Sequence, residues 1–112
     1  LSNERRVVNE KTGGAKGKKA QEYSLIPGDA IWALAEHFSK GAEKYGEPRN
    51  WEKGTDWSLN FDAAQRHMWQ WWMGEDVDDE TGSSHLIAAM WHMSVLFHFN
   101  STHPELDNRP RG

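Results

Sequence analysis

The stretch from residue 86 to residue 99 constrains the fold more than any other part of the sequence. It is apolar almost throughout and is interrupted by one serine and two histidines. A segment of this length that is apolar on all sides is typical of a helix surrounded by other elements. We therefore predict a central core helix that begins at Ser83 or Ser84 and ends at Phe99.

Two other segments show helical spacing. Pro27 and Asp29 supply a stop and an N-cap, after which apolar residues recur at helical intervals from Ala30 to Tyr45. A second helix is predicted over 60–73, and glycine and proline predict a loop over 46–58. Apart from 22–26, which could extend or pair locally, no segment alternates like a strand. The predicted fold class is all-α, a small helical bundle of about three main helices.

Composition and charge divide the chain into three parts. The predicted organisation is a basic Gly/Lys-rich arm over 1–21, a helical domain over 22–100 and a flexible tail over 101–112. Residues 1–19 carry six basic and two acidic side chains, whereas residues 20–103 carry five basic and thirteen acidic ones. An acidic body argues against a nucleic-acid surface and suits a cation site.

The tryptophan and cysteine content limits which oligomeric states and which metal ligands are possible. The chain has seven tryptophans and no cysteine. The tryptophans give the second helix more apolar surface than one neighbour would cover, which predicts completion of the bundle as a homodimer or higher homo-oligomer. Without thiolates, any metal is held by oxygen and imidazole. No run reaches the roughly 20 apolar residues of a membrane span, so we expect a cytoplasmic protein without membrane contact.

The segment from Gly74 to Gly82 has the most unusual local composition. Five carboxylates occupy six positions there, and histidines stand before and after the segment. Oxygen donors at this density suit Mg²⁺, and imidazole would favour Mn²⁺. A solvated acidic turn explains the same composition, and both interpretations stay open. The candidate metal ligands are Glu75, Asp76, Asp78, Glu80 and His85.

Basic and aromatic side chains supply candidate substrate contacts. Lys40 and Lys44 could contact phosphate, although they also fit an exposed helix face with i,i+4 ion pairs. Asn50 offers an amide and Trp51 a ring on which a base could stack, with core packing an equal alternative for the tryptophan. Arg66 adds a cation. His92 lies seven residues after His85, and a hydrogen-bonded core role is favoured for it.

Several ordered motifs together resemble the dATP/dGTP diphosphohydrolase family that is frequent in bacteriophages and is grouped with the all-α, MazG-like nucleoside triphosphate pyrophosphohydrolases. The similarity spans about residues 12–99. The basic segment over 12–17 also resembles the family, and it could fold over a triphosphate. The motifs are GAEKYG at 41–46, RNWEKG at 49–54, Arg66 with His67, and GEDVDDETG at 74–82 followed by His85.

The resemblance implies metal-dependent hydrolysis of a purine (deoxy)nucleoside triphosphate to its monophosphate and pyrophosphate, with Mg²⁺ or Mn²⁺ as cofactor, in the host cytoplasm if a phage encodes the chain. It implies His67, Glu75 and Asp76 as catalytic residues. The four-acid metal site of MazG-like enzymes does not transfer, because helix three carries His85 and His92 where acids are expected. A non-catalytic nucleotide-sequestering protein is therefore an alternative, and an oligomeric interaction domain is a third.

Overall fold

The computed structural model describes residues 4–111 and consists mainly of three helices. These are α1 (Gly28–Tyr45), α2 (Trp57–Trp72) and α3 (His85–Thr102). Three short 3₁₀ turns accompany them: Tyr23–Leu25 precedes α1, Asn50–Lys53 links α1 to α2, and Pro104–Leu106 follows α3. The predicted all-α class is confirmed, with one small two-stranded sheet in addition. Within residues 4–111, no helix is both long and apolar enough to cross a bilayer.

Local chemistry explains the helix ends. Ser84 caps α3, since its hydroxyl accepts a hydrogen bond from the backbone N–H of Leu86 at 3.1 Å. Gly46 ends α1 with a φ of 72°, a left-handed conformation that glycine adopts without strain. Helix α2 begins at Trp57, three residues before the predicted start, because the indole packs into the core and draws the preceding loop inward.

Helix α3 lies at the centre of the fold, as predicted. Its small residues Ala88 and Ala89 are fully buried, and Val95 and Phe99 form the core cluster with Trp57. Partly buried aromatic and aliphatic side chains surround that cluster: Phe38, Trp51, Trp91, Leu96 and Leu106. The alanines let α1 and α2 approach α3 closely. Polar side chains of all three helices, among them His37, His67 and His92, line one cleft.

The N-terminal arm contains a β-hairpin that the sequence pattern did not reveal. Strand β1 (Arg5–Val8) pairs antiparallel with β2 (Ala15–Lys18), and β1 is fully exposed. The turn is held by Asn9, whose side-chain oxygen accepts from the N–H groups of Lys11 and Thr12 at 2.9 and 3.1 Å. Because turn hydrogen bonds rather than an apolar face organise this hairpin, alternation of apolar residues gave no signal for it.

The C-terminal residues, predicted to be flexible, contact the core. The predicted tail begins inside α3, and the indole N–H of Trp57 donates to the carbonyl of His103 at 3.0 Å. Asn108 bonds to both the backbone N–H and the hydroxyl of Ser58, at 3.0 and 2.8 Å. The guanidinium of Arg109 lies 4.9 Å from the Trp57 ring centre. These contacts cover the beginning of α2.

Replacing Gly54 by alanine is expected to destabilise the fold by about 1–3 kcal/mol. Gly54 has a φ of +94°, and a Cβ there would lie 2.8 Å from the Leu106 side chain and 3.0 Å from the His103 ring. Both backbone strain and crowding therefore oppose the side chain. Urea unfolding gives the free-energy change. Gly28→Ala is the control, because nothing lies within 4 Å of its Cβ position; equal effects of both substitutions would contradict the prediction.

Stability should also depend on the charge of His103. A hydrogen bond to the Glu52 carbonyl at 2.7 Å, and then the contact with Glu105 at 3.1 Å, raise the pKa of His103 above 6.5. The protonated ring therefore stabilises the folded state fully below about pH 6.5, and this contribution is lost as the pH rises through the higher folded pKa. The Tm difference between wild type and His103→Gln should shrink with rising pH. A Tm difference that stays constant with pH would contradict this prediction.

Candidate functional site

The acidic segment folds into a tight turn that turns one carboxylate inward. The backbone N–H of Asp78 donates to the Ser83 carbonyl at 2.8 Å, and Gly82 N–H donates back to the Asp78 carbonyl at 2.7 Å. The Thr81 hydroxyl donates to the Asp78 carboxylate at 2.8 Å. Asp78 is half-buried, whereas the neighbouring acids are exposed. The turn thus separates Asp78 from the other four carboxylates.

Two histidines from different helices meet this carboxylate. The Nδ1 atoms of His67 on α2 and His85 at the start of α3 lie 2.8 Å apart. Donor atoms of His67, Asp78 and His85 all lie within 4.8 Å of one another. His85 is completely buried, and its Nε2 lies 3.3 Å from a Glu75 oxygen in a misaligned contact that makes no hydrogen bond. We call these three residues the His–His–Asp cluster.

The environment favours the neutral forms of His37, His67 and His92 and the ionised form of Asp78. Burial lowers the pKa of His67, and burial with nearby cations lowers the pKa of His92 to about 4. Burial, and then the nearby Lys40, also lower the pKa of His37. Burial alone would raise the pKa of Asp78, but hydrogen bonds from Thr81 and the backbone outweigh it, and the pKa is lowered. Near neutral pH the cleft therefore combines the neutral imidazoles of His37, His67 and His92 with the Asp78 anion.

A cleft of about 290 Å³ opens beside this cluster, and cations line it. Lys40 donates to the Ser83 hydroxyl at 2.9 Å, and the same hydroxyl lies 2.8 Å from Nδ1 of His37. Lys44 forms an exposed ion pair with Glu80 at 2.6 Å, and Arg66 lies on the opposite helix. The cleft thus combines three cations with the His–His–Asp cluster, an arrangement that can bind a phosphate chain.

A second cavity of about 190 Å³ adjoins the first and is largely apolar. Trp91 and His92 line both cavities, and the Trp91 indole nitrogen is buried with no hydrogen-bond partner in the described part of the chain. The Asn60 side-chain oxygen lies 2.7 Å from Nδ1 of His92. Asn50 and Trp51 lie on the opposite wall. Aromatic walls with a few amides suit a nucleobase.

The structure brings most of the predicted site residues to these two cavities. Glu75 contacts His85 from outside the cluster. Asp76 does not line either cavity; its carbonyl accepts from His85 N–H at 3.0 Å, a backbone role. Trp51 lines the apolar cavity but also packs edge-on against Phe38 and His98, with ring centres 6.1 and 5.5 Å away. The residues brought to the cavity walls are Lys40, Lys44, Asn50, Trp51, Arg66, His67, Asp78 and Glu80.

Sequence reasoning missed three polar residues of the site. His37 and Asn60 seemed to belong to ordinary amphipathic helices, and Ser83 to a helix start. Each is nevertheless buried and hydrogen-bonded at the cavities. The spacing of His37 and Lys40, one helical turn apart, was the available signal for a shared face. No pattern in the chain links Asn60 to His92, because their contact depends on how α2 packs against α3.

Comparison with known families identifies one match. The family described as "dATP/dGTP diphosphohydrolase, N-terminal" matches residues 10–109, nearly the whole chain. The chain belongs to this family. No curated protein and no solved structure matches it. The family's description names a diphosphohydrolase and its N-terminal part, and the match includes the hairpin strand β2, all three helices and every residue of both cavities.

Proposed function

We propose that the chain hydrolyses a purine deoxynucleoside triphosphate to its monophosphate and pyrophosphate, in a reaction that requires a divalent cation. The observation that carries the proposal is the pair of adjoining cavities, one cationic with the His–His–Asp cluster and one apolar with amides. Family membership supports the same activity. We place the reaction in the cytoplasm, that of the host if a bacteriophage encodes the chain.

The cationic cleft is suited to the triphosphate. Lys40 and Arg66 lie on facing helices, so they can contact phosphate oxygens from two sides. Lys44 forms an exposed ion pair with Glu80. Exposed ion pairs contribute little to stability, so this pair can be broken at little cost in free energy. A phosphate oxygen could therefore replace the Glu80 carboxylate on Lys44. The three cations would offset the negative charge that develops on the departing pyrophosphate.

The apolar cavity is suited to the base. Asn50 and Asn60 can donate or accept hydrogen bonds at a base edge, and the indole N–H of Trp91 has no partner among the described residues. The Trp51 ring forms a wall that its contacts with Phe38 and His98 hold in place. A purine has more ring surface to bury against this wall than a pyrimidine has. This favours a purine substrate, as in the family's description.

The proposed chemistry is attack of water on the α-phosphorus. A divalent cation, when bound, would supply Lewis-acid activation of the phosphate and of water. A neutral imidazole accepts the proton of the attacking water; His37 lines the cleft outside the His–His–Asp cluster, and burial lowers its pKa. The bond from the α-phosphorus to the bridging oxygen breaks, and pyrophosphate leaves toward the three cations.

A nucleotide-binding protein without turnover is the second candidate. The observation favouring it is that one carboxylate, Asp78, stands in the three-residue cluster, whereas the MazG-like metal site uses four. Glu36 and Glu43, the acids of α1 nearest in sequence to the cleft residues, are exposed. Such a protein would use the same cavities to sequester a nucleotide.

Product analysis separates the two candidates. The protein is incubated with each common NTP and dNTP in the presence of Mg²⁺, Mn²⁺ or EDTA, and products are resolved by ion-exchange chromatography. We expect monophosphate and pyrophosphate from dGTP or dATP, with no product in EDTA. Unchanged nucleotides together with a nucleotide-dependent rise in Tm would favour sequestration. Neither turnover nor stabilisation would favour the third hypothesis, an interaction domain.

We also propose that two copies of the chain pair through a groove between α2 and α3. Its wall is formed by Trp57, Phe61, Met93 and Phe97, of which Phe97 is 80% exposed. The chain exposes 8839 Å², whereas a compact monomer of this mass exposes about 6,300 Å². The exposed strand β1 accounts for part of this excess, and exposed apolar side chains such as Phe61 and Phe97 account for another part. Each partner in a stable interface buries roughly 800 Å². A second copy is the occupant that this area favours.

Light scattering after gel filtration tests the pairing. Wild type should show twice the chain mass of 12.9 kDa, and Phe97→Glu should shift it to the monomer. Trp32→Glu is the matched control, because Trp32 is 74% exposed on α1, outside the groove. A monomeric wild type, or equal loss of pairing in both variants, would overturn the proposal.

A further inference from the structure

We infer that His67, His85 and Asp78 form a binding site for a first-row transition ion such as Mn²⁺, Fe²⁺, Co²⁺ or Zn²⁺, in preference to Mg²⁺. The inference concerns the same cleft and deepens the proposed function, since it names the class of cation. It rests on the side-chain geometry of three residues. It makes a prediction about metal binding that does not require turnover.

The geometry is that of donors gathered around one point. Atoms that share an ion at bond lengths of about 2.0–2.2 Å lie within about 4.4 Å of one another. The donor atoms of the cluster lie within 4.8 Å, so binding an ion requires a side-chain shift of a few tenths of an ångström. The two Nδ1 atoms face each other at 2.8 Å. Without a proton between them, two lone pairs at that distance repel, so either one proton or one cation must lie there.

The donor types decide which cation fits. Mg²⁺ requires oxygen ligands in near-octahedral geometry and seldom binds imidazole, whereas Mn²⁺ through Zn²⁺ bind imidazole well. The cluster offers two imidazole nitrogens and one carboxylate, a set known from transition-metal sites with open positions. The acids that would suit Mg²⁺, Asp76 and Asp79, are exposed outside the cluster. Two nitrogens and one carboxylate therefore do not fit a Mg²⁺ site.

The surroundings of His85 support the ligand role. His85 is 0% exposed, and its Nε2 has no hydrogen-bond partner in the described residues although a Glu75 oxygen lies 3.3 Å away. Metal-bound histidines commonly direct their second nitrogen to a carboxylate, which fixes the ring and raises its basicity. A small rotation of Glu75 would complete that contact. The orphaned nitrogen is thus explained if Nδ1 serves as a ligand.

The test is metal binding without nucleotide, measured by isothermal titration and by visible absorption of Co²⁺. The full chain is prepared without a histidine tag and stripped with a chelator. We expect one Co²⁺ or Mn²⁺ per chain, at least about 100-fold tighter than Mg²⁺, and ligand-field bands for Co²⁺. His67→Ala and Asp78→Asn should each weaken binding at least about tenfold. His98→Ala and Asp79→Asn are the controls, because both side chains are exposed.

The outcomes distinguish this inference from the proposed function. Tighter binding of Mg²⁺, or equal affinities in the site and control variants, would overturn the inference even if the protein hydrolyses dGTP. Selective binding of a transition ion that depends on His67 would support the inference even if every nucleotide remains intact. Intact nucleotides would count against the proposed hydrolysis alone. Circular dichroism checks the fold of each variant, and His67 supplies a second test if Asp78→Asn unfolds.

Discussion

Replacing Asp78 by asparagine is expected to lower kcat/KM for dGTP hydrolysis by at least about 100-fold. Asp78 is the carboxylate of the His–His–Asp cluster, and its donor atom lies within 4.8 Å of those of His67 and His85. Asparagine preserves the shape and can still accept from the Thr81 hydroxyl, so the turn should fold. The change removes the negative charge of the cluster, whereas the Glu80 carboxylate stays on the cleft wall. Rates measured with the cation at saturation would separate lost chemistry from lost cation affinity.

Asp79→Asn is the matched control for this experiment. Asp79 is the next residue in the turn, but it is exposed and lines neither cavity. The same loss of charge one position away should change kcat/KM less than about threefold, the scale of a screened surface charge. Equal losses in the two variants would show that the net charge of the turn matters and that the cluster does not.

Truncation of Phe99 to alanine is expected to destabilise the fold by about 3–5 kcal/mol. Phe99 is 1% exposed and lies in the core cluster with Trp57 and Val95. Its ring also meets His103 edge-on at 5.2 Å between ring centres, which holds the C-terminal residues against α3. The total free energy of unfolding of a domain of this size is about 5–15 kcal/mol. The loss is therefore a large fraction of the total stability, and the urea midpoint of the variant should lie well below that of the wild type.

Trp32→Ala is the control for the core truncation. Trp32 is a larger aromatic residue, but it is 74% exposed on α1. Its removal should change the free energy of unfolding by about 0.5 kcal/mol or less. If both truncations had similar effects, the core would not be organised around Phe99, and the packing of α3 described above would be incorrect.

Much of the fold could be predicted because helices have a local signature. The apolar stretch over 86–99 required a surrounded helix, and Ser84 supplied its cap. The acidic segment and its two neighbouring histidines, which the sequence singled out as a candidate site, supply the three residues of the His–His–Asp cluster. The hairpin at the N-terminus escaped prediction, because side-chain hydrogen bonds of Asn9 form its turn and its strands lack an apolar face.

The selection of site residues depended on tertiary structure. Local patterns in the sequence were enough to indicate three helices, an excess of apolar surface, and the order of the acids, imidazoles and cations along the chain. It could not show that Asp78 turns inward while its neighbours face solvent, since that follows from hydrogen bonds of Thr81 and Ser83. Nor could it join His67 to His85, or Asn60 to His92. Those contacts join residues of different helices, and the close packing of α2 on the buried alanines of α3 sets their distances.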